Sequence, residues 1–314
     1  MTSIVRAEEI AEYATAHGDA ATLKHYRLNV GSLARYKAMA RGKAWQPSEA
    51  LRCIAERYTP VELRALARGA DLGRPSVNVP PVDFDGKALR FGFITDTHFG
   101  SRYSLPEHYE AAIDECKRQD CAFIAHTGDL TEGMSQRPGH VFECDQIGYT
   151  AQRDHAEERL RLWPGDWYLI DGNHDRWFVK AADARIVKDV AEAVPRAKFL
   201  GHDMGTLPLK GGASLMLWHG EDANSYATSY RLQKIVESLA GGTKPNVLLA
   251  GHTHKQGYFF ERNIHVVSGG CIQVQTPWMR GKRIAAHPGF HIIDLWLNGP
   301  SVSRLTLTWY PFYA

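Results

Sequence analysis

Short apolar runs alternate with helical segments along the chain from Ala88 onward. This alternation is typical of strands joined by crossover helices, so it predicts an α/β fold whose sheets are flanked by helices. Seven runs are predicted to be strands: ALRFGFIT, CAFIAHT, DWYLID, ASLMLW, NVLLA, IHVVSG and HIIDLWL. The pattern therefore fixes the fold class before any single residue is considered.

Five of these runs end in polar clusters. The clusters are Asp96-Thr97-His98, Gly128-Asp129, Gly172-Asn173-His174-Asp175, His219-Gly220 and Gly251-His252-Thr253-His254. Ligands of open α/β sheets gather outside the carboxyl ends of strands, so the five ends can converge on one site. Asp96 and His98 are expected in an extended segment with both side chains on one side, and His252 and His254 likewise. Nitrogen and oxygen donors without thiolate suit manganese, iron or zinc.

The ordered set DTH, GD, GNHD, H and GHTH resembles that of the calcineurin-like binuclear metallophosphoesterases, over most of residues 88–295. The resemblance implies metallophosphoesterase-type layered sheets and two divalent metal ions, manganese by preference, with iron, zinc or nickel as alternatives. It implies hydrolysis of a phosphoester by a hydroxide between the two ions. The metal ligands that it assigns are Asp96, His98 and His254 for one ion, Asn173, His219 and His252 for the other, and Asp129 for both.

The resemblance also gives a role to His174 and Asp175. His174 would lie beside the scissile phosphate, where it protonates the leaving oxygen or stabilises charge, and Asp175 would orient its imidazole.

His219 has a rival in His202, which ends a weaker strand and lacks a following glycine. The segment between the second and third motifs is expected to cover the site, with Arg137 and His140 on a solvated loop or helix face.

Residues 1–70 are predicted to form a helical domain, because apolar residues recur at three- and four-residue spacing. The helical segments are EEIAEYATAHG, DAATLKHYRL, VGSLARYKAMARG, SEALRCIAERY and PVELRALARG. A linker rich in Pro and Gly at residues 71–87 and a phosphoesterase domain at residues 88–314 are expected to follow.

The region from Asp19 to Gly42 resembles a helix-turn-helix, with a turn at residues 28–31. Six cations and no Asp or Glu occur between residues 24 and 43. Three of them, Arg35, Lys37 and Arg41, lie on the second helix and would contact DNA, with Tyr26 and Tyr36 available for stacking. The alternative is a small helical bundle whose basic face is solvated.

Composition excludes several classes of protein. The chain has 314 residues, 44% hydrophobic and 23% charged, which is ordinary for a globular protein. No window reaches the roughly 18 apolar residues of a membrane span, and the N-terminus lacks the apolar core of a secretory signal. Five cysteines without CxxC spacing favour reduced thiols. We therefore expect a cytoplasmic protein without a membrane partner.

The substrate predicted from the sequence is DNA. The tail from Gly251 to Leu295 is similar to the end of the small, exonuclease subunit of archaeal D-family DNA polymerase, although helices here precede the phosphoesterase domain in place of an oligonucleotide-binding barrel. Arg102 and Lys255, next to the motifs, are expected to contact the phosphate backbone. These features favour a DNA phosphodiesterase or nuclease. Two alternatives stay open: a small-molecule phosphatase or (cyclic) nucleotide phosphodiesterase, and a DNA-binding regulator whose metal-binding domain is not catalytic.

Overall fold

A computed structural model describes residues 3–40, 79–84, 88–220, 229–239 and 244–312. The chain divides into two compact units, Met1–Arg74 and Pro75–Ala314. No helix among these described residues combines the length and apolar character that crossing a membrane requires.

The first unit contains three described helices, α1 (Ser3–His17), α2 (Asp19–His25) and α3 (Val30–Ala40). Ile10, Ala14 and Leu33 form its buried core. Helix α3 begins where the Asn29 side chain accepts a hydrogen bond from the Ser32 backbone amide at 2.8 Å, an ordinary N-cap. The helix thus starts inside the predicted turn, at Val30.

The two tyrosines that were expected to be available for stacking on bases pack against this core. Tyr26 and Tyr36 are half-buried against the cluster around Leu33. Arg35 is exposed, while Lys37 forms an ion pair with Asp19. Arg41 and the predicted helical segments SEALRCIAERY and PVELRALARG lie outside the described residues. A DNA-binding role of this unit stays a prediction.

The second unit contains two sheets. Its strands are β1 (Leu89–Ile94), β2 (Phe123–His126), β3 (Asp166–Asp171), β4 (Ala197–His202), β5 (Met204–Pro208), β6 (Ser214–Trp218), β7 (Val247–Ala250), β8 (Gln256–Glu261), β9 (Ile264–Gly269), β10 (Gly289–Asn298) and β11 (Ser301–Pro311). The first sheet has the order β11-β10-β1-β2-β3-β4, and the second has the order β5-β6-β7-β9-β8. Strands β1 to β4 are parallel to one another, as are β6, β7 and β9, whereas β5, β8, β10 and β11 pair antiparallel.

Six helices lie between the strands in the described part of the second unit. They are α4 (Pro106–Arg118), α5 (Tyr149–Leu160), α6 (Arg176–Ala182), α7 (Ile186–Ala193), α8 (Tyr230–Ser238) and α9 (Pro277–Gly281), with 3₁₀ turns at His140–Glu143 and Lys210–Gly212. Parallel strands need such crossover connections, because each must return to the same end of the sheet.

Apolar side chains fill the space between the sheets and the space under the helices. Strand β6 shows the arrangement, since Leu215 and Leu217 belong to the core that both sheets share. Met216 and Trp218 point to the opposite face and pack with residues of α8. Because both faces are buried, the strand is continuously apolar in sequence. The result is a layered fold of helices, sheet, sheet and helix.

All seven predicted strands are confirmed, as β1, β2, β3, β6, β7, β9 and β10. Four further strands, β4, β5, β8 and β11, were not among them. Strands β8 and β11 lie at sheet edges and alternate half-buried with exposed residues, so they lack the apolar runs by which the others were recognised. In the predicted linker, Val79 is buried and Val82 bridges to Leu209, so this part belongs to the second unit.

Candidate metal centre

The five polar clusters come together where strands of both sheets end. Parallel strands β1, β2 and β3 place their carboxyl ends at one edge of the first sheet, and β6 and β7 do the same for the second sheet. Two groups of ligand atoms result, each with its atoms within 4.8 Å of one another: Asp96, His98 and His254 in one, and Asp129, His219 and His252 in the other. The structure therefore joins the residues that the resemblance assigned to two metals.

The first group is arranged around facing ligand atoms. His254 Nε2 lies 3.3 Å from Asp96 Oδ1 and 3.1 Å from His98 Nε2. All three side chains are buried. The group thus offers two imidazole nitrogens and one carboxylate oxygen. These donors suit a divalent cation such as Mn²⁺, Fe²⁺ or Zn²⁺. The residues present thus fit a metal ion.

The second group includes Asn173. Its Oδ1 lies 2.7 Å from His252 Nδ1 and 3.0 Å from His219 Nε2. Asp129 Oδ2 lies 3.3 Å from His219 Nε2 and 3.8 Å from His98 Nε2. One carboxylate oxygen therefore faces both groups, which is the position that a bridging ligand needs.

Neighbouring groups hold the ligands in place. His219 Nδ1 donates to the carbonyl of Thr127 at 2.7 Å, so Nε2 is the ring nitrogen that faces the site. Asp96 Oδ2 accepts from the Thr95 hydroxyl at 2.7 Å, and the His252 amide donates to the same carboxylate. These contacts fix the ring orientation of one ligand and the rotamer of another.

Charges within the site shift several pKa values. Burial acts to lower the pKa of His219, but the carboxylates of Asp129 and Asp96 outweigh it and raise that pKa to about 9. Burial acts to raise the pKa of Asp96, but His254 and His219 bring it to about 2. Burial dominates at His252 and lowers its pKa to about 3. The carboxylates are thus ionised and able to attract cations.

The backbone at the ligands differs from the extended geometry that the sequence predicted. Five ligands have positive φ: Asp96 at 50°, His98 at 46°, Asp129 at 50°, His252 at 73° and His254 at 55°. Such conformations are uncommon outside glycine and are retained mainly at functional sites. The prediction was wrong because β1 ends at Ile94 and β7 ends at Ala250, so the strand period does not extend to the ligands.

His174 lies at the boundary between the ligands and solvent. Its backbone amide donates to Asp129 Oδ1 at 2.8 Å, and its Nδ1 donates to the carbonyl of Glu132 at 2.8 Å. Nδ1 is therefore occupied, and Nε2 is the nitrogen left for a substrate.

Asp175 has a different place from the one expected. Its buried carboxylate accepts from the backbone amides of Gly172 and Thr131 and from the Thr131 hydroxyl, each at 2.8 Å. It joins the turn after β3 to the loop after β2. The expected contact with the imidazole of His174 is made by Glu132 instead, so Asp175 positions the turn rather than the ring.

Glu132 is the main residue of the site that sequence reasoning missed. It is 4% exposed, and its carboxylate lies 2.9 Å from His140 Nε2, 3.1 Å from His98 Nδ1 and 3.2 Å from Gln273 Nε2. The carboxylate of Glu132 therefore contacts the ligand His98, and its backbone carbonyl contacts His174. An acidic residue three positions after Asp129 was its only signal in the sequence.

The segment between the second and third motifs is not simply a solvated face. His140 is buried and donates to Glu132, which contradicts the expected solvated position. Arg137 lines the cavity beside the site and pairs with Glu143, with nitrogen to oxygen distances of 3.0 and 2.7 Å.

His202, the rival of His219, lies elsewhere. Its ring pairs with Asp171 and contacts Arg185. The neighbouring Asp203 secures the turn that presents His219, because its carbonyl accepts from the His219 amide and its carboxylate accepts from the Gly220 amide, both at 2.9 Å.

Neither cation expected to contact nucleic acid next to the motifs is among the described residues that line the cavity. Arg102 forms an ion pair of 3.1 Å with Asp145, and its side chain is mostly solvent-exposed. Lys255 is half-buried, and its carbonyl accepts from the Ser268 hydroxyl. Both predictions stay untested.

The chain is similar in sequence to several known proteins. Relatives include proteins described as "DNA polymerase II small subunit": one from Halobacterium salinarum is 24% identical over 236 residues, which cover 63% of this chain and 46% of that protein. One from Archaeoglobus fulgidus is 22% identical over 305 residues, which cover 78% of this chain and 59% of that protein. The chain spans about half the length of the relatives it matches.

Solved structures similar to this chain include a novel archaeal phosphodiesterase, with a TM-score of 0.40 and 16% identity over 70% of this chain and 99% of that one. Vacuolar protein sorting 29 from Cryptosporidium parvum has a TM-score of 0.42 and 14% identity over 72% of this chain and 100% of that one. The sequence model described as "Calcineurin-like phosphoesterase" matches residues 89–256, more than half of the chain. The chain therefore belongs to the calcineurin-like phosphoesterase family.

Proposed function

We propose that this protein is a binuclear metal-dependent hydrolase that cleaves phosphodiester bonds of DNA. The observation that carries the proposal is the position of Asp129 between the two ligand groups. Its Oδ2 lies 3.3 Å from His219 Nε2 in one group and 3.8 Å from His98 Nε2 in the other. A shared carboxylate lets two like-charged ions lie close together, which is the arrangement of two-metal phosphoester hydrolysis.

The seven ligands would hold the two ions, which we propose to be manganese: Asp96, His98 and His254 for one, Asn173, His219 and His252 for the other, and Asp129 for both. When bound, the ions supply charge stabilisation and a nucleophile activated near neutral pH. His174 acts on the leaving side. Because Nδ1 donates to the Glu132 carbonyl, Nε2 is the nitrogen that faces the leaving oxygen, and it delivers a proton there from the imidazolium form of the ring.

DNA is proposed as the substrate because relatives of the chain are described as DNA polymerase II small subunits. The exposed Arg35 on α3 gives the first unit a cation that can contact a phosphate backbone. A hydrolase of small nucleotides is the second candidate, since the cavity beside the ligands is only about 310 Å³ in volume.

The test is hydrolysis by the purified protein with manganese, comparing single-stranded DNA, duplex DNA, cyclic nucleotides and phosphomonoesters. We expect DNA cleavage that His174→Ala reduces by roughly 100-fold or more, the usual contribution of an acid–base group. His108→Ala is the matched control and should cleave like the unchanged protein, since half-buried His108 on α4 contacts Phe312 and lies outside the cavity lining. Turnover of small phosphoesters alone would overturn the proposal for DNA, and no turnover at all would favour a regulator with a non-catalytic domain.

A further inference from the structure

The cavity beside the metal ligands has two kinds of wall. The ligands and His174 form one part of its lining, and the remainder includes the large apolar side chains Trp177, Trp278, Met279 and Ile284. Its volume of about 310 Å³ lies at the lower end for small-molecule sites. A phosphate at the ligands would leave the space beside these large side chains for a flat ring system.

Trp278 is held in this lining although nearly half of it is exposed to solvent, at 47%. It lies in the first turn of α9, which Thr276 caps by accepting a hydrogen bond from the Met279 amide at 3.2 Å. Thr276 and Met279 are both buried, so the turn is anchored on either side of the tryptophan. An anchored, exposed indole at a cavity is a surface suited to binding a flat ligand.

Trp177 connects the apolar wall with the reacting groups. Its ring centroid lies 4.0 Å from that of His174 and 5.3 Å from that of His140. Trp177 therefore places the apolar part of the lining directly beside a residue assigned to the reaction.

Resting on the proposed function, we propose that this cavity is a nucleobase subsite in which Trp278 stacks on the base attached to the scissile phosphate. Stacking on an indole is tolerant of base identity, because every base has a flat π-face. A base that lies inside this cavity against Trp278 is separated from its pairing partner, so the substrate presents an unpaired base. The substrate class is then a single nucleotide unit with its base free, at the unpaired end of a DNA strand or as a small nucleotide.

Two chromogenic diesters with the same leaving group test the subsite: the p-nitrophenyl ester of thymidine 5′-phosphate, which has a base, and methyl p-nitrophenyl phosphate, which lacks one. Trp278→Ala should lower the ratio of kcat/KM between the first and second ester by roughly tenfold, as expected for loss of one stacked base. Trp278→Phe should restore most of this ratio. Phe260→Ala is the matched control, since Phe260 is an exposed aromatic residue (55%) on edge strand β8. An unchanged ratio in Trp278→Ala would overturn the subsite.

Binding without turnover separates this proposal from the proposed function. Quenching of tryptophan fluorescence by thymidine 5′-phosphate should saturate, and Trp278→Phe should reduce its amplitude; equal quenching in both proteins would overturn the subsite. If neither diester is hydrolysed but the quenching depends on Trp278, the subsite stands and the proposed hydrolysis fails.

Oligonucleotides with an unpaired end should be cleaved faster than those with a paired end, and equal rates would overturn the requirement for a free base. Tight binding of thymidine 5′-phosphate without any oligonucleotide cleavage would identify a small nucleotide as the ligand.

Discussion

Asp129 has a separate task for each of its carboxylate oxygens. Oδ1 accepts from the His174 amide at 2.8 Å, while Oδ2 faces His98 and His219. Its position also depends on a residue without a side chain, since a Cβ at Gly172 would lie 2.2 Å from Oδ1 and 2.8 Å from His219 Cε1. The turn after β3 must therefore contain glycine for the bridge to form.

Gly172→Ala should weaken manganese binding, because Asp129 or the turn must shift to make room for the methyl group. We also expect a loss of about 1–3 kcal/mol in the free energy of unfolding, the usual range for overpacking. Isothermal titration calorimetry and urea unfolding measure the two effects. Gly257→Ala is the control, since a Cβ there meets nothing within 4 Å. Unchanged metal affinity in Gly172→Ala would argue against Asp129 as a shared ligand.

The roles of single residues could be predicted only where a motif of neighbouring residues identifies them in the sequence. The polar side chains from Asp96 to His254 follow apolar strands and match a known order, so they could be located in the sequence. Glu132 could not, because its place depends on contacts with His98, His140 and Gln273, which come from separate segments. The roles expected of Asp175 and His140 were wrong for the same reason.

Strand β10 contains a buried histidine outside the site. His291 is inaccessible to solvent, and its Nε2 lies 3.2 Å from the carbonyl of Ser268. Its ring stacks at 6.1 Å on Phe93 and lies 4.7 Å from that of Trp309. Burial lowers the pKa of His291 to about 4, so the ring is neutral near pH 7. The element is therefore sensitive to acid.

The free energy of unfolding should fall as the pH drops from about 6.5 to 4. In that window the unfolded chain protonates His291, at its ordinary pKa of 6.5, while the folded protein does not, so acid favours unfolding. The contribution of this residue, complete above pH 6.5, should decline by about 3 kcal/mol on reaching pH 4. Urea unfolding at pH 4.5, 5.5 and 7 measures the decline, which His291→Gln should reduce. An equal decline in His291→Gln would contradict the prediction.

At the level of elements, apolar runs that are buried on both faces were enough to predict β1, β6 and β7. The edge strands were missed for a physical reason: β11 is exposed at alternate positions, as its burial pattern shows, and pairs with the rest of the sheet only through β10. Such a strand depends on its neighbour rather than on its own apolar content.

At the scale of the whole molecule, we expect the first unit to contribute to DNA binding. Arg35→Ala should weaken binding of the full-length chain to DNA in the presence of a chelator, and it should lower the slope of log K against log salt by about 0.9 if one phosphate contact is lost. Fluorescence anisotropy at several salt concentrations measures both. Lys188→Ala on α7 is the control, since that lysine pairs with Glu192 in the second unit. Unaltered binding by Arg35→Ala would favour a helical bundle with a solvated basic face.

Both sheets contribute ligands, and this has a consequence for the order of events in folding. His98 and His254 meet at 3.1 Å although 156 positions separate them along the chain. Contacts of such long sequence separation form late and slowly, because much chain entropy is lost before they are made. The candidate metal centre needs both sheets in place, so the rate of metal binding on refolding should report the docking of the two sheets.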